Sequence, residues 1–328
     1  MRFFRFLFTA AIITFSQGVV IAAYGADDVY PSKPIEFIIT APRGGGADVS
    51  LRILAEAMAP ILGQELNIVN KPGNGAIDGL TEFTKAAPDG YSLVAVWNGP
   101  LTATPQVRNV AYTLDSFSPI ASTFESDYVL CARNDFPAQT GQALINILRQ
   151  RPLGYSYGTE GKGGSGYFAA EQFFDAMGAV LRSESFNGTP EVAKNFADKK
   201  IDFYFGTSTA ILGQVKSGVA KCLIITGYDR PGVLPQAATL QELDTTSVPA
   251  SLWRLVLAPK GIPADRAAVL ESAIRKAMET PAVRAFLIAQ GERANVQNGA
   301  QTMARLKAEF RTSEALADKL LLIREPVR

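Results

Sequence analysis

Short apolar runs alternate with amphipathic stretches along most of the chain. Ile35-Glu36-Phe37-Ile38-Ile39 reads as a short buried strand. From Val49 to Leu62 the apolar positions Leu51, Leu54, Ala55, Met58, Ile61 and Leu62 fall at helical, core-facing spacing, and Gly63 is a C-terminal stop. Leu66 to Val69 predicts a second strand, Ala76 to Ala86 a short helix, and Tyr91 to Val96 a third strand. This βαβαβ order implies a parallel sheet with ligand loops at the carboxyl ends of its strands. Residues 101–127 read as irregular, and Ser126 to Ala132 reads as a strand leaving the first domain.

A second set follows. Gln139 to Gln150 predicts a helix, Leu153 to Tyr157 a strand, and Tyr167 to Met177 a helix. A strand near Leu181 to Phe186, a helix at Glu191 to Ala197, a strand at Ile201 to Phe205, a helix near Ala210 to Lys216 and a strand at Lys221 to Thr226 complete it. Leu252 to Ala258 reads as a strand returning to the first domain. Helices are expected at Ala264 to Glu279, Pro281 to Gln290 and Ala300 to about Ile323. The expected division is 26–127 plus 250–328 in one domain and 128–249 in the other. Two α/β domains joined by crossing strands describe a hinged binding protein.

Two glycine loops sit at matching places in the two sets. Arg43-Gly44-Gly45-Gly46-Ala47-Asp48 lies between the first strand and helix. Consecutive glycines let backbone N–H groups turn toward one point, and the helix N-terminus behind them adds partial positive charge. Asp48 fits the N-cap position. The loop reads as half of a carboxylate-binding cleft; an ordinary glycine-rich βα turn is the other reading. In the second set, Gly161-Lys162-Gly163-Gly164-Ser165-Gly166 matches G-x-G-x-x-G, with Glu184 downstream, and taken alone suggests a dinucleotide site. The same backbone physics binds a carboxylate, and the motif lies mid-chain.

The N-terminus adds a compartment. Arg2 and Arg5 precede a nearly uncharged apolar stretch, Phe6 to Ala23, and Ala23-Tyr24-Gly25 offers small residues for cleavage. Residues 1–25 therefore read as a secretory signal peptide, the competing reading being a membrane anchor interrupted by Ser16-Gln17-Gly18. The 32 basic and 31 acidic residues become 30 and 31 once Arg2 and Arg5 are removed, a net −1. A near-neutral chain without basic runs argues against a nucleic-acid partner. Histidine is absent, which removes Ser-His-Asp and Cys-His catalytic sets and His-based metal sites. Cys131 and Cys222 each sit in an apolar strand-like run. An exported chain allows them to pair, and buried free cysteines are the alternative.

From about Tyr30 to the C-terminus the sequence resembles the Bug-type periplasmic solute receptors of tripartite tricarboxylate transporters. Pro42 to Asp48 resembles the family's first ligand loop, P-P-G-G-x-x-D. Asn70-Lys71-Pro72-Gly73-Asn74-Gly75 resembles N-R-P-G-A-G, Ala86 to Tyr91 matches A-A-P-D-G-Y, Phe186-Asn187-Gly188 stands where the family has Y-K-G, and Ala258 to Pro263 resembles A-P-A-G-T-P. The resemblance implies a two-lobed periplasmic binding protein fold (type II), each lobe a mixed sheet flanked by helices. It implies a monomeric periplasmic receptor, without chemistry or cofactor, that closes on a small organic carboxylate and delivers it to membrane permease subunits.

Carried over, the ligand contacts are Arg43, Gly44, Gly45, Gly46, Ala47 and Asp48, with Asn98 and Gly99, in the first lobe. The second lobe offers Thr159, Glu160, Gly163, Gly164, Ser165, Tyr167, Asn187, Gly188, Thr207 and Ser208. Three positions depart from the family. Arg43 replaces its second proline, Tyr167 its usual His, and Glu160 a small polar residue. A carboxylate at 160 repels an anionic ligand unless it is protonated, paired with Lys162 or Arg43, or turned away. Dicarboxylates, amino acids and aromatic acids all stay open as ligands. An exported enzyme acting through Asp48 and Glu160, and a ligand-sensing partner of a membrane signalling protein, are the alternative functions.

Overall fold

The structure, a computed structural model, describes residues 29–44, 46–161, 164–186, 188–243 and 250–326. The expected signal peptide and the candidate contacts Gly45, Gly163 and Asn187 lie outside the described residues, as does Lys162.

The first part of the chain forms β1 (Ile35–Ile39), α1 (Gly46–Leu62), β2 (Leu66–Asn70), α2 (Ile77–Phe83), β3 (Ser92–Trp97), the short turns of helix α3 (Gly99–Thr102) and α4 (Thr104–Val107), β4 (Arg108–Asn109) and β5 (Phe117–Arg133). Next come α5 (Gly141–Gln150), β6 (Ser156–Thr159), α6 (Ser165–Ala176), β7 (Arg182–Ser185), α7 (Thr189–Ala197), β8 (Phe203–Thr207), α8 (Ser208–Lys216) and β9 (Ala220–Ile225). The chain closes with β10 (Ser251–Pro259), α9 (Ala264–Met278), α10 (Pro281–Gln290), β11 (Arg293–Ala294), α11 (Gly299–Lys319) and β12 (Glu325–Pro326).

The strands form two lobes of the same design. In the first, β1 pairs in parallel with β2 and β3, and β10 runs antiparallel between β3 and the first part of β5. In the second, β6 pairs in parallel with β7 and β8, and the last part of β5 runs antiparallel between β8 and β9. The orders β2-β1-β3-β10-β5 and β7-β6-β8-β5-β9 correspond strand for strand. β5 is shared: Asp127 still pairs with Ser251 of the first lobe, and Tyr128 already pairs with Thr207 of the second.

The irregular reading of 101–127 is corrected. Residues 99–107 contain α3 and α4, and β5 begins at Phe117. Its polar residues hid the strand because they bond sideways rather than face water. Ser122 accepts the Gln297 N–H at 2.9 Å, Glu125 accepts from Arg305 at 2.9 and 3.2 Å, and Asp127 pairs with Arg293.

Each sheet is buried on both faces, which explains the near-continuous apolar strands. Ile35, Phe37 and Ile39 of β1 pack against Leu51, Leu54 and Met58 of α1, while Ile38 points to the opposite face with Val94, Trp253 and Leu255. In the second lobe Tyr157, Phe173, Phe174 and Phe205 form one core, and Val192, Phe196, Tyr204 and Ile211 the other. A smaller cluster joins the lobes: Tyr167 and Phe168 of α6 pack with Ala103, Val107 and Ala317 of the first lobe. Cys131 and Cys222 face each other on β5 and β9 and are bonded, which settles the open alternative in favour of the disulfide.

Candidate functional site

The first glycine loop leaves the carboxyl end of β1 and enters α1. Asp48 is the third residue of α1 rather than its N-cap, and its carboxylate folds back beneath the loop. Oδ2 accepts the Gly44 N–H at 2.9 Å. Oδ1 accepts from Arg52 Nη2 at 2.9 Å and Asn70 Nδ2 at 2.7 Å. Asn70 also donates to the Ala41 carbonyl at 2.9 Å, so one amide ties the end of β2 to both sides of the loop. Burial pushes the Asp48 carboxyl upward, but the bonds from Asn70, Gly44 and Arg52 outweigh it and hold the group below its ordinary value. Arg52 and Asn70 are missing from the sequence-derived set. Arg52 carries an i,i+4 signal from Asp48, and Asn70 opens the motif Asn70-Lys71-Pro72-Gly73. Arg43 stands exposed, with no ion pair among the described residues.

The second glycine loop leaves β6 and enters α6 in the same way, but its acidic residue is set differently. Glu160 turns under its own loop, where Oε1 accepts the Gly166 N–H at 2.7 Å. Oε2 is shut off from solvent and has no hydrogen-bond partner among the described residues. Two glycines make room for it. A Cβ at Gly164 would fall 2.2 Å from Glu160 Cγ, and one at Gly166 would fall 2.5 Å from Oε2. Burial raises the Glu160 carboxyl above its ordinary value, and the backbone bonds offset this only in part. The G-x-G-x-x-G spacing is thus occupied from inside by a side chain.

The remaining candidates divide into those near the opposite lobe and those engaged within their own. Gly99 meets Ser165: a Cβ at 99 would lie 2.9 Å from Ser165 Oγ. Ser165 Oγ accepts the Tyr128 O–H at 3.0 Å. Gly46 meets the start of α8, its Cβ position lying 3.7 Å from Thr209 Cγ2. Ala47 is half-buried behind it. Ser208 donates to the Gln290 carbonyl at 3.0 Å, and Thr209 to Glu292 Oε1 at 2.8 Å. Glu292 in turn forms a buried pair with Arg254 at 2.9 Å, so α8 docks on the first lobe through a charged partner.

Asn98 is committed inside the first lobe. Its Nδ2 donates to Glu309 Oε2 at 3.0 Å and the Ser251 carbonyl at 3.3 Å, and its Oδ1 accepts the Trp253 N–H at 3.4 Å. Tyr167 is buried in the interlobe cluster beside Phe168, where burial pushes its phenol to about 12. Thr159 is buried and accepts the Gly161 N–H at 3.3 Å. Thr207 is buried and its carbonyl accepts the Tyr204 O–H at 2.8 Å. Gly188 is half-buried directly before α7.

What these elements present at the helix starts is backbone. The first-turn N–H groups of α1 and α6 have no partner inside their helices and carry the positive end of the dipole. Among the described residues no group of three or more Cys, Asp or Glu is placed to hold a metal ion.

Comparison with known proteins bears on the family and the fold. Residues 50–322 match the model of a family described as the tripartite tricarboxylate transporter family receptor. A UPF0065 protein of Bordetella pertussis is 31% identical over 261 residues, 79% of this chain and 81% of that one. The periplasmic binding protein BugD superposes with a TM-score of 0.78 at 25% identity, covering 90% of this chain and 100% of its own. MatC from Rhodopseudomonas palustris, with bound malate, superposes with a TM-score of 0.75 at 23% identity, covering 88% of this chain and 99% of its own.

Proposed function

The chain belongs to the tripartite tricarboxylate transporter receptor family, and on that premise we propose that it captures a small carboxylate between its two glycine loops and delivers it to membrane permease subunits. The observation that carries the reading is that helix starts of opposite lobes meet at two places. Gly46 at the start of α1 abuts Thr209, and Ser165 at the start of α6 abuts Gly99. Backbone N–H groups at such positions are anion donors. The family places the receptor in the periplasm, and we infer export through residues 1–25, hinge closure about the Asp127–Tyr128 step of β5, and lobes of 26–127 plus 250–328 and of 128–249. The receptor acts as a monomer. Among the described residues no helix is long and apolar enough to cross a membrane.

Capture proceeds without chemistry. The carboxylates an enzyme would use are set inside their own loops: Asp48 is bonded to Arg52, Asn70 and Gly44, and Glu160 bonds the Gly166 N–H through Oε1 with its Oε2 shut off from solvent. The malate of MatC supports a small organic acid as the class of solute. A few charge-assisted backbone bonds at roughly 1.5–3 kcal/mol each, less the cost of association, correspond to about micromolar affinity.

A thermal-shift screen of the exported protein against mono- and dicarboxylates, amino acids and aromatic acids tests this, because a ligand of the native state raises Tm by mass action. A shift for one class, confirmed by calorimetry with no product formed, supports the receptor. Turnover of the hit, or no shift from any carboxylate in protein stripped of co-purified solute, contradicts it.

A further inference from the structure

We propose that Glu160 fills the carboxylate position of the second lobe from within, so that the solute is a monocarboxylate whose far end is neutral or cationic rather than a second carboxylate. The inference rests on the receptor reading above and narrows its substrate class.

The two lobes share one strand order, and each presents a glycine loop and a helix start at the corresponding place. A diacid bridging such lobes needs an anion position in each. In the second lobe that position is the start of α6, a helix of 12 residues. Its Gly166 N–H is taken by Glu160 Oε1 at 2.7 Å. The space at the Cβ positions of Gly164 and Gly166 is filled as well, since a methyl group at either would fall 2.2 or 2.5 Å from the Glu160 side chain. Oε2 lies buried without a partner among the described residues. The hydroxyls of Tyr128 and Tyr204 lie close enough to feel its charge, and no cation among the described residues pairs with it.

Both protonation states of Glu160 exclude a second carboxylate. Ionised, it is a buried negative charge, without a cation partner among the described residues, at the place where the ligand's negative end would sit. Neutral, it still holds the N–H and the volume. The first lobe lacks this conflict, because Asp48 is offset by Arg52 and Arg43 stands exposed on the same loop. The ligand's single carboxylate therefore belongs to the first lobe.

Calorimetric titration of the exported protein with length-matched probes tests the assignment: succinate against 4-aminobutyrate and succinamate, and adipate against 6-aminohexanoate and hexanoate. The expected result is binding of a monoacid about tenfold or more tighter than its matched diacid, the worth of one charge-assisted hydrogen bond. Glu160→Gln, which keeps the shape of the side chain, retains that preference. Glu160→Ala, which vacates the position and frees the Gly166 N–H, reduces it about tenfold. Diacids binding as tightly as monoacids to the parent protein overturn the proposal, as does an unchanged preference in folded Glu160→Ala. Absence of binding by every probe overturns the receptor reading itself, and with it this narrower one.

Discussion

The two glycine loops are built alike, but the acids beneath them are shifted in opposite directions. Each follows a parallel strand, precedes a helix and tucks one acidic side chain beneath itself. In the first, Asp48 meets a guanidinium, an amide and a backbone N–H, and stays ionised below its ordinary value. In the second, Glu160 accepts the Gly166 N–H and has no cation partner among the described residues, and burial drives it toward the neutral acid. A glycine loop ahead of a helix fixes the backbone donors. The partners of the buried acid decide which way its protonation shifts.

The largest expected effect separates the lobes as wholes. Only the second carries a covalent tie, Cys131–Cys222, spanning 91 residues of sequence. Closing a loop of that length limits the unfolded chain by about 4.6 kcal/mol in the chain-entropy picture. Denaturant unfolding of a Cys131→Ala/Cys222→Ala variant should lose roughly that much, with amide exchange accelerating first in β5, β8 and β9. Equal acceleration in β1 to β3 would mean the lobes do not differ in this respect.

Breaking the first loop comes next. Asp48→Ala leaves Asn70, Arg52 and the Gly44 N–H without their shared acceptor. A cost of about 2–3 kcal/mol is expected for a buried network of this kind, together with weaker carboxylate binding. Unfolding curves within about 0.5 kcal/mol of the parent would show that Asp48 does not organise the loop.

The second loop breaks differently. Gly164→Ala places a methyl group against Glu160 Cγ and should cost about 1–3 kcal/mol through overpacking. In a Glu160→Ala background the same change should be nearly neutral, because the obstructing atoms are gone. A double-mutant cycle reads this coupling directly, and additive effects would contradict the packing of Glu160 under its loop.

The smallest effect is the sharpest in sign. Asp48 binds its proton less readily in the folded than in the unfolded protein, so its stabilisation is full above the ordinary 3.8 and fades as pH falls toward the lowered folded value. Glu160 binds its proton more readily when folded, so stability declines as pH rises from the ordinary 4.5 through the raised folded value. Asp48→Asn should flatten the acid limb of the stability profile, and Glu160→Gln the limb above pH 4.5. Identical pH profiles in parent and Glu160→Gln proteins would contradict the asymmetry.

The periodicity of Ile35 to Leu62 and the glycine loops were readable because strand, turn and amphipathic helix are local patterns. So was the electrostatic conflict at Glu160, since a carboxylate beside an anion site is a conflict in any backbone. Its resolution was not readable, because the turn of Glu160 beneath Gly164 and Gly166 depends on the course of the loop. Asn70, 22 residues from Asp48, escaped for the same reason. Ser208 and Asn98 entered the candidate set through the family resemblance, which carries no information about their partners. Their partners, Gln290 and Glu309, lie far along the chain and are brought near only by the shared β5 and the return of β10. The start of β5 was obscured because Ser122, Glu125 and Asp127 satisfy their polar groups sideways, which breaks the alternation a strand ordinarily shows.

The most direct test is the protonation of the two buried acids, followed by carbon-13 NMR of the side-chain carboxyls across pH, with Asp48→Asn and Glu160→Gln to assign the resonances. The expected result is a Glu160 carboxyl that titrates above the ordinary 4.5 and an Asp48 carboxyl that titrates below the ordinary 3.8. A Glu160 carboxyl titrating at or below 4.5 would contradict the division of charge between the two loops.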